Sequence, residues 1–273
     1  MKAPNYAEIW HEALTQNGTS SNQYESPASA QSYDASGKIW EDGYLRAEQF
    51  PFTSDDTVLD IGCGPGVLAV PLSNKVKHVT VVEPSAAMLE LLDRHCAEKD
   101  VRNITKYHSD WEHMDLEALP DFDYVIASYS LAMPAMKEAM IRMNRKARKR
   151  VYLYWFCGMA SWEKIQADLL PVVYGREHPY RPKTDILYGI LCQLGISADV
   201  THLEGTMFDY LYENTDAAVA NLRKRLNVSD ERFDDVFLRY LHESPLFRQE
   251  GEQWHFLDQT NYVCISWKPK ELL

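Results

Sequence analysis

From residue 51 onward the chain alternates between two hydrophobic rhythms: short runs of β-branched and apolar residues, then longer stretches with apolar positions three and four apart. The runs predict strands at Thr57–Ile61, His78–Val82, Ile104–His108, Phe122–Ser128 and Val151–Phe156; the stretches predict helices at Gly66–Asn74, Ser85–Cys96 and Ala132–Lys146. Such alternation implies parallel strands joined by crossover helices, an α/β doubly wound sheet. Pro71 falls inside the first of these helices and should kink or shorten it.

Beyond Phe156 the pattern predicts helices at Ser161–Leu170, Thr184–Leu194, Asp216–Leu226 and Asp230–His242, the last behind the cap Ser229. Ala198–Leu211 reads as a strand region and the sixth strand of the sheet. Trp254–Leu257 and Asn261–Trp267 read as strands too, the latter as a candidate antiparallel seventh. Gly175–Lys183 is a loop punctuated by Pro179 and Pro182. Ahead of the sheet, Asn5–Leu14 and Ala35–Gln49 read as helices, separated by a polar loop from Thr15 to Ser32. The chain thus divides into a helical segment at 1–50 and a sheet domain at 51–273, with a helical insert at about 213–250.

The candidate chemistry is concentrated where the first strand ends, in Val58-Leu59-Asp60-Ile61-Gly62-Cys63-Gly64-Pro65-Gly66. Glycines let the backbone take positive φ and let a ligand approach where a Cβ would block it. The dinucleotide pattern G-x-G-x-x-G would need glycine at 67, where Val67 stands. Asp60 disfavours a pyrophosphate and suits a ligand with an ammonium group and hydroxyls. Glu83, 23 residues after Asp60, ends the second strand, where a carboxylate can accept from both ribose hydroxyls.

With its acid and its G-x-G-x-G turn, the stretch from Thr57 to Phe156 resembles the class I S-adenosylmethionine-dependent methyltransferases. The resemblance implies a mostly parallel, seven-stranded Rossmann-like sheet, N-terminal helices that fold over the ligand as a lid, and S-adenosylmethionine as cofactor with S-adenosylhomocysteine as product. It assigns cofactor contacts to Asp60, Gly62, Cys63, Gly64 and Gly66, to Glu83, Pro84 and Met88, to Asp110 and Trp111, and to Ser128. In it Asp110 accepts from the adenine amino group while Trp111 packs on the ring; for Met88, core packing is an equal alternative. After Ser128 the chain lacks the N-P-P-Y type signature of enzymes acting on amide or base nitrogens, which leaves the acceptor atom open.

Methyl transfer from a sulfonium needs alignment and exclusion of water more than it needs a triad. A base is required only if the acceptor carries a proton, and Tyr129, Trp155, His178 and Tyr180 are the side chains to inspect for that or for aromatic contact with the sulfonium.

Composition narrows the partners. A net charge of −12 argues against nucleic acid or an anionic membrane as the main partner and favours a small-molecule acceptor. The alternatives are methylation of tRNA or a protein, or S-adenosylmethionine binding without turnover; oligomeric state is left open. The basic run from Arg142 to Arg150 sits at a helix end, where it complements the dipole. Five scattered cysteines offer no metal-ligand spacing and read as reduced thiols; with no apolar leader or span, the expected location is the cytoplasm, with no metal.

Overall fold

Three helices, α1 (Tyr6–Gln16), α2 (Pro27–Asp34) and α3 (Gly37–Gln49), precede the first strand, β1 (Thr57–Ile61). There follow α4 (Ala69–Ser73), β2 (His78–Glu83), α5 (Ala86–Glu98), β3 (Ile104–His108), β4 (Phe122–Ser128), α6 (Met136–Lys146) and β5 (Ala147–Cys157). The remainder comprises α7 (Ser161–Tyr174), α8 (Thr184–Gln193), β6 (Asp199–Leu203), β7 (Tyr210–Tyr212), α9 (Thr215–Leu226), α10 (Asp234–Glu243), β8 (Phe247–Glu250), β9 (Gln253–Phe256) and β10 (Asn261–Trp267). The structure is a computed structural model that describes residues 4–16, 24–203 and 209–272.

The chain forms two compact units. The first, Met1–Trp155 with Arg181–Leu203 and Tyr262–Leu273, holds a seven-stranded sheet in the order β3-β2-β1-β4-β5-β10-β6. Strands β1 to β5 pair in parallel, and β10 runs antiparallel to β6. The order reverses at β1, so the ends of β1 and β4 flank a topological switch point, where sheets of this kind bind ligands.

The core follows from strand alternation. Along β1, Val58 joins one hydrophobic cluster while Leu59 and Ile61 join the other, so both faces are covered and the strand reads as an almost continuous apolar run. Helix α1 packs on the second of these faces. Its Trp10 is fully buried and donates from Nε1 to the Met133 carbonyl at 2.8 Å. Helix α3 packs on the first face through Ala47, followed by Phe50.

The second unit, Phe156–Tyr180 with Glu204–Asn261, has its own core of α7, α9 and α10 around a three-stranded sheet, β7-β9-β8. Gly251, at φ 65°, turns the β8–β9 hairpin.

Several elements depart from the sequence pattern. The region 198–211 splits: β6 lies in the large sheet and β7 in the small one, while 204–208 fall outside the described residues. The polar stretch read as loop from Thr15 to Ser32 contains the start of α2, with 17–23 outside the described residues. Ser26 caps that helix, Pro27 begins it, and Ala30 is its one buried residue. So little of it is apolar that no periodicity shows. The helix read over Gly66–Asn74 shrinks to the five residues of α4, because Pro71 has no N–H to give the Val67 carbonyl. The basic run is spent on local contacts: Lys146 caps the Leu119 carbonyl at 2.8 Å and Lys149 pairs with Asp56 and Asp123. Among the described residues no helix is long and apolar enough to cross a membrane.

Candidate functional site

The turn after β1 puts three glycines at positive φ, 68° at Gly62, 56° at Gly64 and 92° at Gly66. Their reasons differ. A Cβ on Gly62 would come within 2.4 Å of the Ser130 Cβ, and one on Gly66 within 2.5 Å of Leu92 Cδ1. Those two glycines let the turn pack against β4's continuation and against α5. A Cβ on Gly64 would meet nothing within 4 Å. Gly64 alone of the three faces open space, and it is the backbone position a ligand can approach.

Two acids flank it. Glu83 is 6% exposed; one carboxylate oxygen accepts from the Gly64 N–H and the other from the Ser85 N–H, both at 2.9 Å. Burial raises its pKa and these backbone donors pull it back. Asp60 is 1% exposed, and its Oδ2 has no hydrogen-bond partner. Burial, reinforced by Glu83 and opposed by Arg46, pushes its pKa up to about 7. An unpaired buried carboxylate oxygen costs on the order of 1–3 kcal/mol or more, so it marks a position that a ligand donor would relieve.

Above this edge α3 supplies a group absent from the sequence reading. Arg46 is 5% exposed, donates from Nε to Asp42 at 2.6 Å and from Nη1 to the Ser128 hydroxyl at 2.5 Å. Its guanidinium lies 5.2 Å from the Tyr129 ring and 5.0 Å from the Tyr154 ring. Tyr129 itself takes φ 56°, unusual for a side chain with a Cβ, and burial raises its phenol pKa. Helix α2 adds Tyr33, whose phenol pKa burial also raises in the shared field of Arg46, Asp42 and Glu83. Tyr33 stacks at a tilt on Tyr24, whose carbonyl accepts from the Ser85 hydroxyl at 2.8 Å. The available signal for Arg46 was a lone arginine on the buried stripe Ile39, Gly43, Ala47 of an amphipathic helix.

The other candidates are placed as follows. Cys63 is buried in the turn, its thiol pKa raised by burial beside Glu83 and Asp60. The Pro84 carbonyl accepts from His108 Nε2 at 2.9 Å. Met88 is buried with Ala30, Ala87 and Leu91, under Tyr24 and Tyr33. Asp110 caps its own turn by accepting from the His113 N–H at 2.9 Å. Trp111 is 2% exposed, donates from Nε1 to the Ala139 carbonyl at 3.1 Å and carries Arg142 over its ring, so it packs in the core against α6. Trp155 donates to the Pro182 carbonyl at 3.2 Å and tilts against Trp10. His178 and Tyr180 belong to the second unit. The structure thus gathers Asp60, Gly64, Glu83, Ser128 and Tyr129 at one sheet edge, while Trp111 packs in the core and Trp155 lies half-buried against Trp10.

Comparison with known proteins points the same way. Residues 58–150 match the family described as methyltransferase domain. A relative from Haemophilus influenzae, described as an uncharacterized protein, is 30% identical over 151 residues, 55% of this chain and 54% of that one. The chain therefore spans about half the length of this relative. Among solved structures, the YcgJ protein of Bacillus subtilis superposes with TM-score 0.57 at 15% identity, over 85% of this chain and 99% of that chain. Haemonchus contortus phosphoethanolamine N-methyltransferase 2, in complex with phosphomonomethylethanolamine and S-adenosylhomocysteine, superposes with TM-score 0.56 at 16% identity, over 96% of this chain and 60% of that chain. At such identities the likeness is one of fold.

Proposed function

We propose that this chain, whose residues 58–150 match the methyltransferase-domain family and whose fold is Rossmann-like, is a class I S-adenosylmethionine-dependent methyltransferase that transfers a methyl group to a small-molecule acceptor. One observation carries the cofactor assignment: the orphaned, buried Oδ2 of Asp60 lies on the strand that leads into the turn where Gly64, of its three glycines, has open space around it. A carboxylate without a donor and a backbone without a neighbour make a cradle for a ligand rich in donors.

When bound, S-adenosylmethionine supplies the methyl group on a sulfonium. The residues of this chain bind and shield. Asp60 offers its free oxygen to an ammonium group. Glu83, with one lone pair of each oxygen engaged by backbone, keeps further lone pairs for hydroxyl donors. Gly64 leaves the approach open. Tyr33, Tyr129 and Tyr154 provide aromatic surface that excludes water and favours a cation, each such contact being worth roughly 0.5–2 kcal/mol. The net charge of −12 supports a small acceptor over RNA, since phosphate binding draws on exposed Lys and Arg.

Calorimetric titration of the purified protein with S-adenosylmethionine, S-adenosylhomocysteine and NADH tests this. Micromolar binding of both adenosyl ligands without NADH binding is the expected result. A folded, ligand-free sample that binds neither adenosyl compound would refute the assignment. Turnover against a metabolite panel, set beside transfer to RNA, then separates a small acceptor from a nucleic-acid one and an enzyme from a binder.

A further inference from the structure

Nothing in methyl transfer as such calls for a guanidinium buried on α3, yet Arg46 is 5% exposed. Strand register fixes which face of the sheet it occupies. Asp60 pairs with Ile126, and side chains alternate along a strand, so Asp60, Ile126 and Ser128 project from one face. Tyr154 pairs with Ser128 and projects from that face as well. Arg46 meets this set at the Ser128 hydroxyl, 2.5 Å away, and at the Tyr154 ring. Its guanidinium therefore stands on the Asp60 side of the sheet, braced by Asp42 from its own helix.

We propose that Arg46 is a positioning residue whose charge favours the ionised form of the buried Asp60 carboxylate, so that Asp60 can present a charge to an ammonium-bearing ligand near neutral pH. The ligand half of this rests on the cofactor reading above. The charged and titratable groups at this sheet edge come from five places. Helix α3 brings Arg46 and Asp42, β2 brings Glu83, the turn brings Cys63, and Tyr33 and Tyr129 close in from α2 and from the end of β4. Burial keeps the thiol and both phenols protonated at neutral pH. Glu83 and burial favour the neutral acid, and Arg46 opposes them. Without Arg46, Asp60 holds its proton at pH 7 and loses its charge.

The test reads Asp60 directly, in ligand-free protein carrying 13C-labelled aspartate, with Asp60→Asn as the assignment control. In Arg46→Gln the carboxyl midpoint of Asp60 should rise by about one pH unit or more, since a facing positive charge is removed, while Arg46→Lys stays near wild type. Affinity for S-adenosylhomocysteine, measured against pH, should fall in Arg46→Gln at a correspondingly higher pH and recover in alkali. An unmoved midpoint in a folded Arg46→Gln overturns the proposal. Should that variant fail to fold, Asp42→Asn serves, since the Asp42 side chain is 26% exposed. It frees the guanidinium from its partner, so the Asp60 midpoint must move down, and a midpoint that stays put overturns the proposal equally. Wild-type protein with no affinity for S-adenosylhomocysteine at any pH overturns the cofactor reading and the proposal with it; normal binding beside an insensitive Asp60 overturns the proposal alone.

Discussion

A Cβ added to Gly43 would lie 2.2 Å from the carbonyl oxygen of Val67, so helix α3 rests directly on the glycine turn. The contact joins two oddities of sequence. Pro71 leaves that carbonyl without its helical N–H partner, and a glycine in the middle of α3 lets the helix come down onto it. Arg46, three residues further along α3, is delivered to Ser128 as a result.

Gly43→Ala should therefore lower stability by about 1–3 kcal/mol, the cost of forcing a methyl into packed backbone, against the general rule that alanine improves a helix. Gly37→Ala in the same helix is the control, because its Cβ would meet nothing within 4 Å. Denaturant unfolding of the two variants decides it: equal stabilities would mean that α3 does not bear on the turn.

The three turn glycines should part company under substitution. All have positive φ, so any side chain costs on the order of 1–2 kcal/mol there. Gly62→Ala and Gly66→Ala add a steric clash and should be the least stable. Gly64→Val should stay folded and lose adenosyl binding. A Gly64→Val protein that binds S-adenosylhomocysteine like wild type would place the ligand elsewhere.

This division shows what the sequence discloses and what it withholds. Strand β1, the acid at its end and the positive-φ turn were legible because strand periodicity and glycine spacing are local. That Gly62 and Gly66 serve packing while Gly64 faces open space was not, since the difference lies in Ser130, Leu92 and Val70, distant or ambiguous in sequence. The packing of Trp111 was hidden for the same kind of reason. Trp111 follows an acid in the position a ring-stacking residue would take, but its partners are Ala139 and Arg142 on α6, nearly thirty residues on. Arg46 and Asp42 were hidden because charged residues on a helix usually mark its wet face.

Trp111→Ala should consequently act on stability, costing about 3–5 kcal/mol as a buried aromatic deletion does. In protein kept folded by low temperature, affinity for S-adenosylmethionine should stay within a factor of a few of wild type. A selective loss of affinity with stability intact would return Trp111 to the adenine site.

Asp60→Asn should separate stability from function by pH. In the ligand-free fold the Asp60 pKa is raised from the ordinary 3.8 to about 7, so the folded state holds a proton that the unfolded chain has released. Stability is thus undiminished below pH 4 and falls as pH rises through that window, by about 4 kcal/mol in all at roughly 1.4 kcal/mol per unit. Asparagine has no charge to lose, and any fixed cost of its amide is the same at every pH. Relative to wild type, Asp60→Asn should therefore gain stability between pH 4 and pH 8, while binding adenosyl ligands poorly throughout. Urea unfolding at the two ends of that range supplies the comparison. If the difference between variant and wild type is flat with pH, Asp60 is ionised at its ordinary pKa, and the strain attributed to it is absent. A widening difference identifies Asp60 as an acid that the ligand-free fold holds at a cost in stability.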